Sequence, residues 1–398
     1  MSSMSDTVLT YSFFDNERIK YKGQTKKIND FIQENQLLSE ELWKTFVEQF
    51  SFGKMEKAAV DAWKAQVNIV YPPQGSPEEE VIKVCVAEHS VYNCDSNDNG
   101  WRGEYWGKMM RGACLTYRYT RNRKLLSVLK KTVLDMLSVQ DEFGRFSTYI
   151  VEKELNGWDM WGRKYVMLGF LYFYEICDNQ SLKKKIVKAL KEHADYLVAR
   201  IGDEEGKVKI TDTSSVLGGL NSCSILEPFV KLYNITQESR YLKFAEYIIS
   251  TGFTKSENLI ALVDTDAKMP FEFTPPKAYE MMSCFQGLLE YGKATKNEKL
   301  LKTAIKFFDK VYQTEMTQVG GLGCQHEMFN HSREMQTEYH NGPMLETCVT
   351  VTWMNCCFEL LRFTGDSKYA DWIEASAINA MYGAVNLQKN KNIYLRRR

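Results

Sequence analysis

A chain of 398 residues is long enough for two or three average domains, or for one large architecture with a sizeable core. Lysine and arginine total 51, as do aspartate and glutamate, so no net field draws the whole protein toward nucleic acid or an acidic membrane surface. No run reaches the roughly 18 apolar residues of a membrane helix, and ten cysteines are scattered without the regular spacing of a small secreted domain.

The first residues, MSSMSDTVLTYSFFDNERIKYKG, lack a basic segment followed by an apolar run, so the protein is expected to be cytoplasmic with reduced thiols. Proline is rare and apolar residues recur at three- and four-residue spacing, which predicts a mainly helical chain. Residues 1–90 read as an N-terminal segment containing a first hairpin, from SEELWKTFVEQFSF and KMEKAAVDAWKAQV between Ser39 and Val67. Five further segments pair an aromatic-rich helix with a lysine-bearing amphipathic one, around polar breaks near Arg121, Asp178, Gln237, Lys296 and Gly365. The breaks recur at intervals of about 57, 59, 59 and 69 residues, the signature of stacked helical hairpins. Six such pairs close into an all-α (α/α)6 barrel, a six-hairpin toroid with the more apolar helices inside. Residues 91–385 are expected to complete it, and residues 386–398 form a tail.

The connections between pairs are longer than the turns within them and carry the unusual residues, as functional loops do. In WRGEYWGK, Trp101 and Trp106 offer stacking platforms, with Glu104 and Lys108 as polar contacts. WDMWGRKY repeats the arrangement one pair later with Trp161, Arg163 and Lys164; in both, packing in the core is an equal alternative. Asp212 in ITDTSS, and Tyr279 and Glu280 in KAYEMMSC, stand at the corresponding points of later pairs.

The densest chemistry lies in GCQHEMFNHSREMQTEYHNGPMLETC, Gly323 to Cys348. Glu346 and Cys348 can meet one zinc ion if the backbone there is not yet fully helical, but zinc normally takes three or four protein ligands. Cys324, His326, His331 and His340 are the neighbours that could add to them, and His340 is placed with the sugar contacts. Cys356 and Cys357 lie roughly 12 Å further along the same helix and read as small buried hydrophobes. Glu327 is a candidate acid/base carboxyl, with a solvated loop glutamate as its alternative; Glu334 and Glu338 share that alternative. No phosphate loop, dinucleotide fingerprint, basic helix or zinc-finger spacing is present, so neither nucleic acid nor membrane is an expected partner.

Taken together, RGEYWGKMMRGA, WDMWGRKYVMLGFLYFYE, SCSILEPFVKLYNIT, KAYEMMSCFQGLLE, VGGLGCQHEMF, LETCVTVTWM and YADWIEASAINAMYGA resemble the catalytic helical domain of the β-L-arabinofuranosidase family, glycoside hydrolase family 127. The resemblance runs from about residue 90 to about residue 385. It implies an (α/α)6 barrel followed by β-sandwich domains, and a zinc-dependent retaining mechanism with a cysteine nucleophile. The family's acid/base glutamate follows a Gly-Gly-Ile-Gly-like turn, which the resemblance places at Glu327. Its E-x-C pair of zinc ligands falls on Glu346 and Cys348.

The remaining ligands and the nucleophile of the family come from adjacent cysteines downstream of the last helix. This chain reaches NLQKNKNIYLRRR without them, so the expectation is a C-terminally truncated catalytic domain, its β-sandwich absent and its zinc site incomplete. Lys108 also stands where many relatives place histidine. The expected activity is that of a family 127 glycoside hydrolase on an oligosaccharide or glycoside, impaired by loss of the Cys-Cys pair. One alternative is a non-catalytic (α/α)6 domain binding carbohydrate or protein. Another is a zinc-free enzyme using Glu327 with Glu104 or Glu280. A homodimer stays open.

Overall fold

A computed structural model describes residues 20–50, 95, 99–323, 327–337, 345–385 and 387. The second helix expected in the first hairpin, within residues 54–67, lies outside the described residues. Among the described residues the chain is helical, and β structure is limited to isolated bridges. By its internal packing it divides into two compact units, Ile32–Phe244 and Met1–Phe31 with Ala245–Arg398.

In the unit of residues 32–244 the helices are α2 (Glu40–Glu48), α3 (Glu104–Thr120), α4 (Arg123–Ser138), α5 (Asp159–Ile176), α6 (Gln180–Arg200) and α7 (Leu226–Thr236). The boundaries of the other unit cut α1 (Gly23–Ile32) and α8 (Ser239–Ser250), and within it lie α9 (Ala278–Thr295), α10 (Glu298–Glu315), α11 (Thr347–Thr364) and α12 (Lys368–Ala375).

Local chemistry sets the breaks between paired helices. Arg121, Gln237, Lys296 and Gly365 end α3, α7, α9 and α11 in the left-handed conformation, at φ of 53°, 58°, 56° and 71°. Each returns its N–H to a carbonyl of the last helical turn, which satisfies an otherwise orphaned acceptor. After Arg121 and Lys296, and at the Asp178 break, asparagine starts the next helix. Asn122 accepts from the N–H groups of Lys124 and Leu125, Asn179 from Leu182, and Asn297 from Leu300. Each such cap contributes about 1 kcal/mol.

The first helix of a pair is the more deeply buried. α5 and α9 are buried on nearly every side, whereas α4, α6 and α10 bury one face and, buried Lys310 apart, turn their lysines toward water. α3 and α5 approach until backbones touch: a Cβ at Gly107 would lie 1.8 Å from the Tyr165 carbonyl oxygen. In the other unit, Phe285 stacks on Phe307 with ring centroids 3.8 Å apart, and Trp353 stacks on Trp372 at 5.4 Å. These contacts tie α9 to α10 and α11 to α12.

Candidate active site

Two clusters hold the chemistry read from the sequence, one in each unit. In the unit of residues 32–244, Glu104 in the first turn of α3 accepts the indole N–H of Trp161 and pairs with Lys108 Nζ at 2.8 Å. Lys164, only 1% exposed, lies over the Trp161 and Tyr165 rings at 4.4 and 4.9 Å. Cation–π attraction offsets part of the cost of burying such a charge. Trp161 continues a string of edge-to-face aromatics through Trp158 to Trp101, which is 52% exposed. Glu104, Lys108, Trp161 and Lys164 therefore come together, with Trp101 at the open end of the string. Trp106 does not join them. It is wholly buried and donates its indole N–H to Thr132 Oγ1 of α4 at 3.0 Å, the packing alternative for that residue. Arg163 is likewise taken up by a buried ion network, and Asp212 is exposed in a 3-10 turn.

The second cluster is built from three segments of the other unit. Gly320 and Gly323 adopt φ of 74° and 76°, and any Cβ on them would press on Ala375 and Val349 respectively. That turn is tied to the start of α11: the Leu322 N–H donates to Thr350 Oγ1 at 3.2 Å, and the Leu322 carbonyl accepts the Glu346 N–H at 3.1 Å. Glu346 is the N-cap of α11, in extended conformation, and its carboxylate accepts the Val349 N–H at 2.5 Å. Cys348 sits half-buried in the first helical turn.

Beyond the turn, Glu327 lies at φ 70° and starts an arm clamped on two sides. Met328 bridges to Lys277, and the Phe329 N–H donates to the Pro276 carbonyl at 2.8 Å. Further on, the buried carboxylate of Glu315, at the end of α10, accepts the N–H groups of Asn330, His331 and Ser332 at 3.0 to 3.3 Å. It also takes the Ser332 hydroxyl at 2.8 Å.

Lys277 joins these pieces. It is 8% exposed, caps α9, and forms an ion pair with Glu327. Burial works against its ammonium, but the carboxylates of Glu280, Glu327 and Glu346 outweigh burial and the net displacement of its pKa is upward. Glu327 keeps 48% of its side chain exposed, so the burial expected of an acid/base carboxyl is not the environment found. Tyr279 and Glu280 are buried at the start of α9. His331 faces away from the pair, stacked on Phe271 and 3.3 Å from Glu334. Cys324, His326, Glu338 and His340 lie outside the described residues. Cys356 and Cys357 are fully buried, and burial, with Cys356 and Asp309 nearby, pushes the Cys357 thiol well up.

The sequence profile described as "Beta-L-arabinofuranosidase, GH127 catalytic domain" matches residues 66–396. The chain belongs to glycoside hydrolase family 127. A curated family relative, the non-reducing end β-L-arabinofuranosidase of Bifidobacterium longum, is 21% identical over 246 residues, 56% of this chain. The chain spans 35% of that relative's length. Among solved structures, the GH127 β-L-arabinofuranosidase Ara127N-Se of Geobacillus stearothermophilus T6 matches 87% of this chain and 55% of its own, at 15% identity and a TM-score of 0.55. The GH127 β-arabinofuranosidase BT3674 matches 87% and 53%, at 17% identity and a TM-score of 0.54. This likeness of fold places the chain in the all-α, (α/α)6 class expected from its hairpins.

Zinc, which the GH127 resemblance implies, would draw on Glu346 and Cys348 among the described residues, while Cys324, His326 and His340 lie outside them. Among the described residues no group of three histidine, cysteine, aspartate or glutamate side chains converges to hold a metal ion. Glu346 and Cys348 supply two donors, and one Glu346 oxygen already serves as a helix cap. Sequence reading passed over Lys277 and Glu315, the residues that organise this cluster. One signal was available: a lysine at a helix N-cap opposes the helix dipole, so carboxylates must be close by to hold it there. Glu315 gave none, because its partners are backbone N–H groups 15 to 17 residues away.

Proposed function

We propose that this GH127 chain carries the acid/base half of a glycoside hydrolase acting on a terminal β-L-arabinofuranoside or a closely related sugar. The observation that carries the reading is Glu327: it follows the glycine-built turn, which is stitched to the start of α11, and it is gathered with Glu280 and Glu346 around Lys277. A carboxyl exposed at such a point can reach the oxygen of a departing glycoside and donate its proton, then take one from the incoming water. Within the unit of residues 32–244, and as a separate cluster, Trp101 and Trp158 carry ring surface on which a sugar can stack, with Glu104 and Lys108 as polar groups. The names of the relatives supply the sugar. Every cysteine among the described residues is a free thiol, which supports a cytoplasmic location.

A second reading, carbohydrate binding without hydrolysis, is favoured by the exposure of Glu327. Hydrolysis of an aryl β-L-arabinofuranoside separates the two. Glu327→Gln is expected to lower kcat by about 100-fold or more while leaving binding of the sugar in place. Wild-type protein that binds the glycoside but releases no aglycone would establish the second reading, and activity untouched in Glu327→Gln would remove the acid/base assignment.

A further inference from the structure

We propose that the Lys277 ammonium is the resident cation of the Glu327–Glu346 site, serving the carboxylates that a metal-dependent site would turn toward its ion. The inference rests on the reading of this cluster as the functional site, and extends it to what balances the charge there.

The geometry is specific. Lys277 is buried, and its backbone is fixed by the bridge to Met328 and by the neighbouring Pro276 carbonyl, so the ammonium has little freedom to leave. It pairs directly with Glu327. Glu280 follows it by three residues in the first turn of α9, and Glu346 enters from the start of α11. Three segments thus bring one carboxylate each toward a single ammonium, and all three carboxylates act on its charge. A buried charge persists only when paired, and these carboxylates provide the pairing. A divalent ion at Glu346 and Cys348 would meet that ammonium as a like charge in a partly desolvated setting, where repulsion is weakly screened. It would also find one Glu346 oxygen engaged by Val349. The engaged Glu346 oxygen and the buried ammonium therefore point the same way.

Metal binding to the full chain tests this without substrate, so hydrolysis can fail while this inference stands, and the reverse. Purified protein dialysed against zinc, with bound metal measured by mass spectrometry, is expected to hold well below one equivalent. Lys277→Met removes the charge and keeps the stem. It is expected to take up one equivalent, at least about tenfold more tightly than wild type, and to lose it again when Glu346→Gln is added. Lys277→Arg keeps the charge and is expected to behave as wild type. Wild-type protein carrying one equivalent of zinc that disappears in Cys348→Ala would overturn the proposal. So would a folded Lys277→Met variant, judged by circular dichroism, that binds no more zinc than wild type. The wild-type measurement decides alone should Lys277→Met fail to fold.

Discussion

Glu154 shares its two carboxylate oxygens among the guanidinium groups of Arg145, Arg163 and Arg200 and the hydroxyl of Tyr196, all inside the unit of residues 32–244. Asp141 and Asp159 complete the network at 2.6 and 3.0 Å from Arg145 and Arg163. These side chains fix the loop before α5, the segment that delivers Trp158 and Trp161. A buried network of this kind has high stakes, because removing one partner strands the others without water. Glu154→Gln leaves two fully buried arginines each short of a carboxylate, and is expected to cost about 3–5 kcal/mol of stability by urea unfolding. A surface pair such as Lys130 with Asp178 should contribute no more than about 1 kcal/mol when cut. Equal costs for the two would mean that the network adds nothing beyond its individual contacts.

At the scale of elements, what the sequence revealed is what local chemistry decides. The breaks at Arg121, Gln237, Lys296 and Gly365 coincide with left-handed helix ends because a helix stop is written within a few residues, and the asparagines that follow Arg121 and Lys296 are ordinary caps. The start of α11 at Glu346 was legible for the same reason, whereas the Gly320–Gly323 turn was placed by the family resemblance. The clamp on the Glu327 arm was not, since it joins Pro276, Lys277 and Glu315 to residues from 15 to more than 50 positions away. Periodicity carries no trace of such partners. Trp106 shows the converse: an aromatic in a loop-like motif can turn into the core when a distant Thr132 is there to receive its N–H. The clamp makes a separate prediction. Glu315→Gln sets an amide donor against N–H donors, so amide hydrogens of the arm around Asn330–Ser332 are expected to exchange about tenfold faster or more. Exchange in the middle of α9 should stay unchanged. An arm as protected as in wild type would show that the Pro276 and Lys277 side of the clamp suffices.

For the molecule as a whole, a balanced total charge conceals charges that folding has buried, and those determine its response to acid. His193 is wholly buried, with Nδ1 accepting the Phe146 N–H at 3.0 Å. Burial, then Arg163 and Arg145, push its pKa well below the ordinary 6.5, so the folded protein keeps it neutral. The unfolded chain binds that proton as pH falls through 6.5, so stability is complete above this value and declines beneath it. Burial alone would raise Glu154, but Arg145, Arg163 and Arg200 reverse this and bring it to about 2 from the usual 4.5. Its contribution is present above 4.5 and is lost as pH drops toward 2. Both groups favour the same direction, in successive windows. Through His193, unfolding free energy is therefore expected to fall by up to about 1.4 kcal/mol per pH unit below 6.5, offset in part by Asp95 and Glu152, whose pKa values burial raises, and more steeply below 4.5 as Glu154 adds its own loss. His193→Gln removes the group that titrates in the upper window and retains an acceptor for Phe146. Its stability should lose the wild-type decline between pH 6.5 and 4.5 and then fall below 4.5 as Glu154 is protonated, as chemical denaturation at a series of pH values would reveal. An unchanged upper slope in that variant would assign the loss to other groups.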